Sequence, residues 1–246
     1  MGMPIMVEIV DPFVRDEIFS SVFDYFISID ERFSTYKETS EITKINQGLI
    51  TVSDYSDDMK TVFALCEETK KLTHGYFDIQ GRSGKIDPSG LVKGWSIFHA
   101  AELLKKMGCK NFFIDAGGDI EAFGKNRHGE LWSVGIRHPF NENEIVKVVY
   151  LKNQGIATSG TYIRGQHIYN PFDKKRLITD IVSLTVIGPN VYEADRFATA
   201  AFAMGRTGIS FIESLPGFEG YVIDKEGKAT MTTNFAYYTT PYVAMD

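Results

Sequence analysis

Cysteine is scarce in this chain, with two residues, Cys66 and Cys109, among 246. That is too few for a disulfide framework. Each falls in or beside an expected helix, so a reduced, partly buried thiol is the reading for both. Long apolar runs are absent too. No stretch approaches the roughly 20 residues of a spanning helix, so no membrane insertion is expected. The opening MGMPIMVEIV lacks a basic stretch ahead of an apolar core and does not read as a secretory signal. A cytoplasmic location is therefore the expectation, although a trimmed exported chain would look the same. Positive charge is short, with 26 Lys and Arg against 32 Asp and Glu for a net charge of -6. Basic residues form no block beyond short runs such as Lys174-Lys175-Arg176, which argues against a nucleic-acid partner. There is no G-x-S-x-G, no P-loop and no Cys-x-x-Cys.

What is present is ordinary for a globular chain: 43% hydrophobic and 24% charged residues, with no linker, repeat or low-complexity stretch. One domain over residues 1–246 is expected. Asp11-Pro12 supplies an N-cap and a first-turn proline for a helix whose apolar face carries Val14, Ile18, Val22, Phe26, Ile29 and Phe33. A second helix is expected from Ser56 to before Gly75, and a third from Gly90 to Met107, stopped by Gly108. Strands follow at NFFID, LWSVGIRHP, EIVKVVYL and IVSLTVIGP. Residues 193–204 turn helical again, a short helix follows near Ile209 to Leu215, and a hairpin forms around VIDKEGKA. Long helices first and meandering strands later predict an α+β fold, with helices packed on a mixed or antiparallel sheet.

Several stretches carry candidate chemistry. In EADRFATAAFAMG, Asp195 and Thr199 are four residues apart and share a helix face. A carboxylate beside a hydroxyl is a hard-oxygen pair suited to Mg²⁺. A plainer reading is open as well: Asp195 favours the helix dipole while Thr199 bonds back to a carbonyl of its own helix. KIDPSGLVKGW places an acid and a Pro-Ser-Gly turn at a helix start, where backbone groups can meet a polar ligand. IDAGGDI ends a strand with paired glycines, which allows close approach, but lacks the dinucleotide spacing and opens no helix. His74, His99, His128 and His138 read as surface or packing residues. His167 differs by its surroundings. It follows Thr158, Ser159 and Gly160 in GIATSGTYIRGQHIYNPF, a segment that looks too polar for a core strand, and its neutral-range pKa suits a base.

In order along the chain, MGMPIMVEIV, ERFSTYKETSEITKIN, HGYFD, IDPSGLVKG, FFIDAGGDI, GIATSGTY, HIYNP and ADRFATAAFAMG resemble the ApbE family, the FAD:protein FMN transferases. The resemblance implies a single ApbE-like domain and a Mg²⁺-dependent reaction in which FAD is the substrate. FMN would be attached by a phosphoester to a Ser or Thr of an acceptor protein. It further implies metal ligation by Asp195, Thr199 and the carbonyl of Gly90, and His167 as the base for the acceptor hydroxyl. Implied flavin contacts are Met1, Tyr36, Asp87 and Lys93, together with Tyr76, Phe77, Asp78 and Ile168. The turn ATSG, with Thr158 and Ser159, would shape the floor of the flavin site. Without the resemblance, Tyr36 would read as a cap of the first helix against the core.

The chain departs from the family pattern at Asn170, where the family carries aspartate, and at Asp173-Lys174, where it carries Thr-Gly. Met3 replaces a threonine, and the stretch from Asp78 to Asp87 is short. Two alternatives accompany the transferase reading. One is an FAD pyrophosphatase releasing FMN and AMP, and the other a non-catalytic FAD-binding protein.

Overall fold

Strand β1 (Ile5–Ile9) opens the chain and pairs with β2 (Phe112–Ala116), which turns back into β3 (Asp119–Phe123). This computed structural model describes residues 2–81, 84–161, 168–173 and 177–241. Between β1 and β2 run four helices: α1 (Asp16–Phe33), α2 (Glu41–Asn46), α3 (Asp57–Leu72) and α4 (Ser89–Lys106). After β3 come β4 (Trp132–His138), β5 (Asn141–Leu151), β6 (Gln154–Gly160) and β7 (Ile181–Gly188). Helices α5 (Val191–Ala203) and α6 (Gly208–Glu213) and strands β8 (Glu219–Asp224) and β9 (Ala229–Met231) follow. Seven strands form one sheet in the order β1-β2-β3-β6-β7-β8-β9, and β4-β5 form a separate hairpin. Every pairing between the named strands is antiparallel. The α+β expectation holds, in the antiparallel form.

The register sorts the molecule into three layers. Pairs Ala116↔Asp119, Glu121↔Gly155 and Ala157↔Val186 lie on one face of the sheet. That face meets the helices: Ala116 packs with α1 and α4, and Ala157 and Val186 pack with α5. The opposite face, with Phe113, Ile120, Ile156 and Ile187, packs on Trp132, Val134, Val149 and Leu151 of the hairpin. Helix α5 is buried at eleven of its positions, and its alanines let it lie close to both the sheet and α4. Ser56 caps α3 as expected, accepting from the Met59 N–H.

Two local expectations are corrected. Asp11-Pro12 does not start a helix. The Asp11 carboxylate instead accepts the N–H groups of Lys110 and Asn111, and α1 begins at Asp16 with Arg15 at its N-cap position. The polar-looking GIATSG is not a turn but most of β6, a central strand. Its small residues allow a close approach, because a Cβ on Gly155 would fall 1.9 Å from the Val191 nitrogen at the start of α5.

Candidate active site

A cleft opens where the first turn of α4, the end of β6 and the middle of α5 meet two loops, 76–81 and 168–171. Eleven of the residues nominated from sequence line it. Gly90 and Lys93 come from α4, Thr158 and Ser159 from β6, and Asp195 and Thr199 from α5. Tyr76, Phe77, Asp78 and Ile168 come from the loops, and Asp87 lies just ahead of α4. Tyr36 is not among the lining residues. It is 94% exposed and packs against no core, so its reading as a helix cap against the core is overturned. Met1 and His167 lie outside the described residues.

The α4–α5 contact sets the geometry. An Asp195 oxygen accepts the Gly94 N–H at 2.8 Å, and the Thr199 hydroxyl donates to the Gly90 carbonyl at 3.2 Å. Thr199 therefore reaches across to α4 instead of bonding back within its own helix. The approach requires glycine at 94, since a Cβ there would sit 2.6 Å from the Asp195 Cβ and 2.7 Å from the Val191 carbonyl oxygen. Burial pushes the Asp195 pKa up, the Lys93 ammonium opposes this, and the neighbouring Asp119 carboxylate adds to it. A carboxylate, a hydroxyl and a carbonyl thus converge at one corner. Among the described residues no group of three or more His, Cys, Asp or Glu is arranged to hold a metal ion. A cation held here would rest on hard neutral oxygens, one carboxylate and its ligand's own oxygens. That donor set fits Mg²⁺, which keeps part of its shell for water and phosphate.

Sequence reasoning passed over Asp119 and Glu121. Both sit on β3 facing the helices, 1% and 2% exposed. The turn at Gly117 and Gly118, with φ of 64° and 94°, delivers Asp119 into the site. Asp119 pairs with the Lys93 ammonium at 2.5 Å and accepts the Thr158 N–H at 3.1 Å. Glu121 accepts the Val191 N–H at 2.6 Å and so anchors the start of α5, where Asn190 also caps the Glu193 N–H. Burial pushes the Glu121 pKa up to about 7. Acids at alternate positions of DIEAF look like a solvent-facing strand edge. The available signal was their position directly after the paired glycines.

The outer loops are held locally. Asn46 clamps Ile86 through both its N–H and its carbonyl, and Asp87 accepts the Ser89 N–H at the start of α4. The Tyr169 hydroxyl donates to the Gln80 carbonyl, joining the two loops. Asn170 accepts the Phe172 N–H and closes its turn. Phe172 meets the Tyr76 ring edge-on at 5.1 Å.

A model of the ApbE family matches residues 1–83 and 80–222, nearly the whole chain. The chain belongs to the ApbE family. Its ApbE relatives include the FAD:protein FMN transferases of Salmonella typhimurium and Escherichia coli K12. They are 29% and 30% identical to it over 156 residues, 60% of this chain but 45% and 44% of those proteins. The chain thus spans a little under half the length of these curated relatives. The enzyme of the same name from Haemophilus influenzae is 25% identical over 240 residues, covering 72% of this chain and 69% of that protein. Among solved structures, the flavin transferase ApbE from Vibrio cholerae superposes with a TM-score of 0.84 at 22% identity. The ApbE protein from Thermotoga maritima gives 0.86 at 20% identity. Each comparison covers 97% of this chain and 96% of the other, and shows a shared fold.

Proposed function

We propose that this ApbE-family chain is a Mg²⁺-dependent FAD:protein FMN transferase. The reading is carried by one observation: the Asp195 carboxylate, the Thr199 hydroxyl and the Gly90 carbonyl converge beside Lys93 in a single cleft. The names of the relatives support it. In the reaction, a Ser or Thr oxygen of the acceptor protein attacks the FMN-side phosphorus of the FAD pyrophosphate. The bond from that phosphorus to the bridging oxygen breaks, AMP leaves with that oxygen, and the hydroxyl proton passes to a base.

Asp195, Thr199 and the Gly90 carbonyl would hold Mg²⁺, which when bound neutralises charge on pyrophosphate oxygens. Lys93 supplies a positive charge on the same wall. The buried contact between α4 and α5 keeps these groups in place without reorganisation, which is where electrostatic stabilisation of a developing charge is strongest. Tyr76, Phe77 and Ile168 offer apolar surface to the flavin, and Asp87 already accepts the Ser89 N–H ahead of α4. His167 is the proposed base. Asn170 keeps the turn that follows it while contributing no charge to orient it.

The test is FAD turnover with Mg²⁺, with and without a candidate FMN-accepting domain, reading free AMP by chromatography and covalent flavin fluorescence on a denaturing gel. Labelled acceptor supports the transferase, and the labelling should be lost in His167→Ala. AMP released without labelled acceptor would make the chain an FAD pyrophosphatase. Bound FAD with neither product would leave a flavin-binding protein and overturn the proposal.

A further inference from the structure

Asp119 is 1% exposed and is assigned no role by the reading above, yet it touches two elements of the cleft, α4 and β6, at once. One oxygen pairs with Lys93 of α4 at 2.5 Å, and the other accepts the Thr158 N–H of β6 at 3.1 Å. The second bond marks an irregularity in the sheet. The pairing of β3 with β6 runs over Ala122↔Gln154, Glu121↔Gly155 and Ile120↔Ile156 and then stops. Two residues further on, the Thr158 N–H finds a side-chain carboxylate instead of a strand carbonyl. A carboxylate in that position does what a backbone acceptor cannot, because it also carries a charge to oppose the ammonium of Lys93. Lys93 is 16% exposed and lines the cleft, so its head group is the part of this pair that a ligand can meet.

We infer that Asp119 is a positioning residue, which aims the Lys93 ammonium at an anionic ligand in the cleft and ties that aim to the β6 wall. The inference rests on the transferase reading for the ligand's identity, FAD, and on this chain's geometry for the pairing. A lysine ammonium is a mobile point charge on a four-carbon stem, so fixing it matters more than it would for a planar guanidinium. Asp119 makes the fixed contact from a position that never meets solvent. Gly117 and Gly118, by turning β2 sharply into β3, put that carboxylate within reach of α4.

The experiment compares wild type, Asp119→Asn, Lys93→Met and the double variant, each as the full chain. Acetylation by acetic anhydride, read by mass spectrometry, measures Lys93 reactivity against Lys147 as an internal reference. Flavin fluorescence measures FAD affinity without need of turnover. Asp119→Asn is expected to raise the relative acetylation of Lys93 about fivefold or more, since an ammonium freed from its partner samples more of the cleft. FAD affinity should fall about tenfold in each single variant and by no more than that in the double, because residues acting as one unit are not additive. Unchanged Lys93 reactivity, unchanged FAD affinity in Asp119→Asn, or effects that multiply in the double variant would each overturn the inference. Should Asp119→Asn unfold, Asp119→Ser with and without Lys93→Met replaces it. Recovery of the melting midpoint in the pair supports a matched charge, and no recovery overturns it. If wild type binds FAD and labels no acceptor, the transferase reading alone falls. If wild type transfers FMN and Asp119→Asn matches it in every measure, the inference alone falls. A wild type that binds no FAD overturns both.

Discussion

The two walls of the cleft are built in opposite ways. The inner wall, from α4, α5, β3 and β6, is nearly closed to water: Asp119, Glu121 and Asp195 are 1%, 2% and 3% exposed. Its polar groups are satisfied by partners far away in sequence, such as Gly94 with Asp195 and Val191 with Glu121. The outer wall, from loops 76–81 and 168–172, is shaped mostly by near neighbours, with Tyr169–Gln80 and Phe172–Tyr76 joining the two loops. Gln80 bonds to Asp78 and Phe172 to Asn170, each two residues apart. Phe172 is 68% exposed, although its ring pairs with Tyr76. A wall of long-range buried contacts holds charged groups rigidly where reaction chemistry needs them. A wall of short-range turns tolerates substitution and can adapt to a ligand.

Mutations should therefore separate the two walls, and the largest effect belongs to Asp195. Asp195→Asn keeps an oxygen for the Gly94 N–H, so the fold should survive, while Mg²⁺-dependent AMP release falls by at least about 10²-fold. Equal loss in the absence of added metal would break the comparison. The next effect is on stability and depends on pH. The folded protein holds the Glu121 proton up to about pH 7, whereas an ordinary glutamate releases it near 4.5. Below 4.5 both states are protonated and the effect vanishes. As pH rises towards 7 the unfolded state gains relative stability, by about 3 kcal/mol for a shift of this size. Glu121→Gln should flatten the stability profile between those values and exceed wild type at pH 8, as checked by denaturant titration across pH.

Gly94→Ala probes close approach on the same wall. Its Cβ has no room between Asp195 and Val191, so a destabilisation of about 1–3 kcal/mol is expected. For a chain of this size that lowers the melting midpoint by about 2–4 °C per kcal/mol. Smallest is the outer wall. Phe172→Ala removes an edge-on ring pair worth about 0.5–1 kcal/mol, with FAD affinity reduced about two- to fivefold if the ligand uses that surface. A larger stability loss from Phe172 than from Gly94 would invert the assignment of rigid and adaptable walls.

Much of the fold was legible because periodicity and caps are local. Ser56 ahead of α3, Gly108 after α4 and the apolar stripe of α1 each act within a few residues. The pairing of Asp195 with Thr199 on one face followed from helix geometry alone. Local rules failed where a residue bonds at a distance. Asp11 looked like a cap because proline follows it, yet its carboxylate serves Lys110 and Asn111. GIATSG looked like a turn because it is polar and small, and it became a central strand because α5 needs that closeness at Gly155.

The sequence by itself determined the ends of α3 and α4, the α+β character, and the residue types that could bind a hard cation and a flavin. Only the tertiary structure decided that Thr199 turns to Gly90 instead of to its own helix, that Asp119 holds Lys93, and that Glu121 anchors α5. The physical reason is the same in each case. A buried polar group must find a partner, and which partner is within reach depends on register and on helix approach, not on neighbours in the chain.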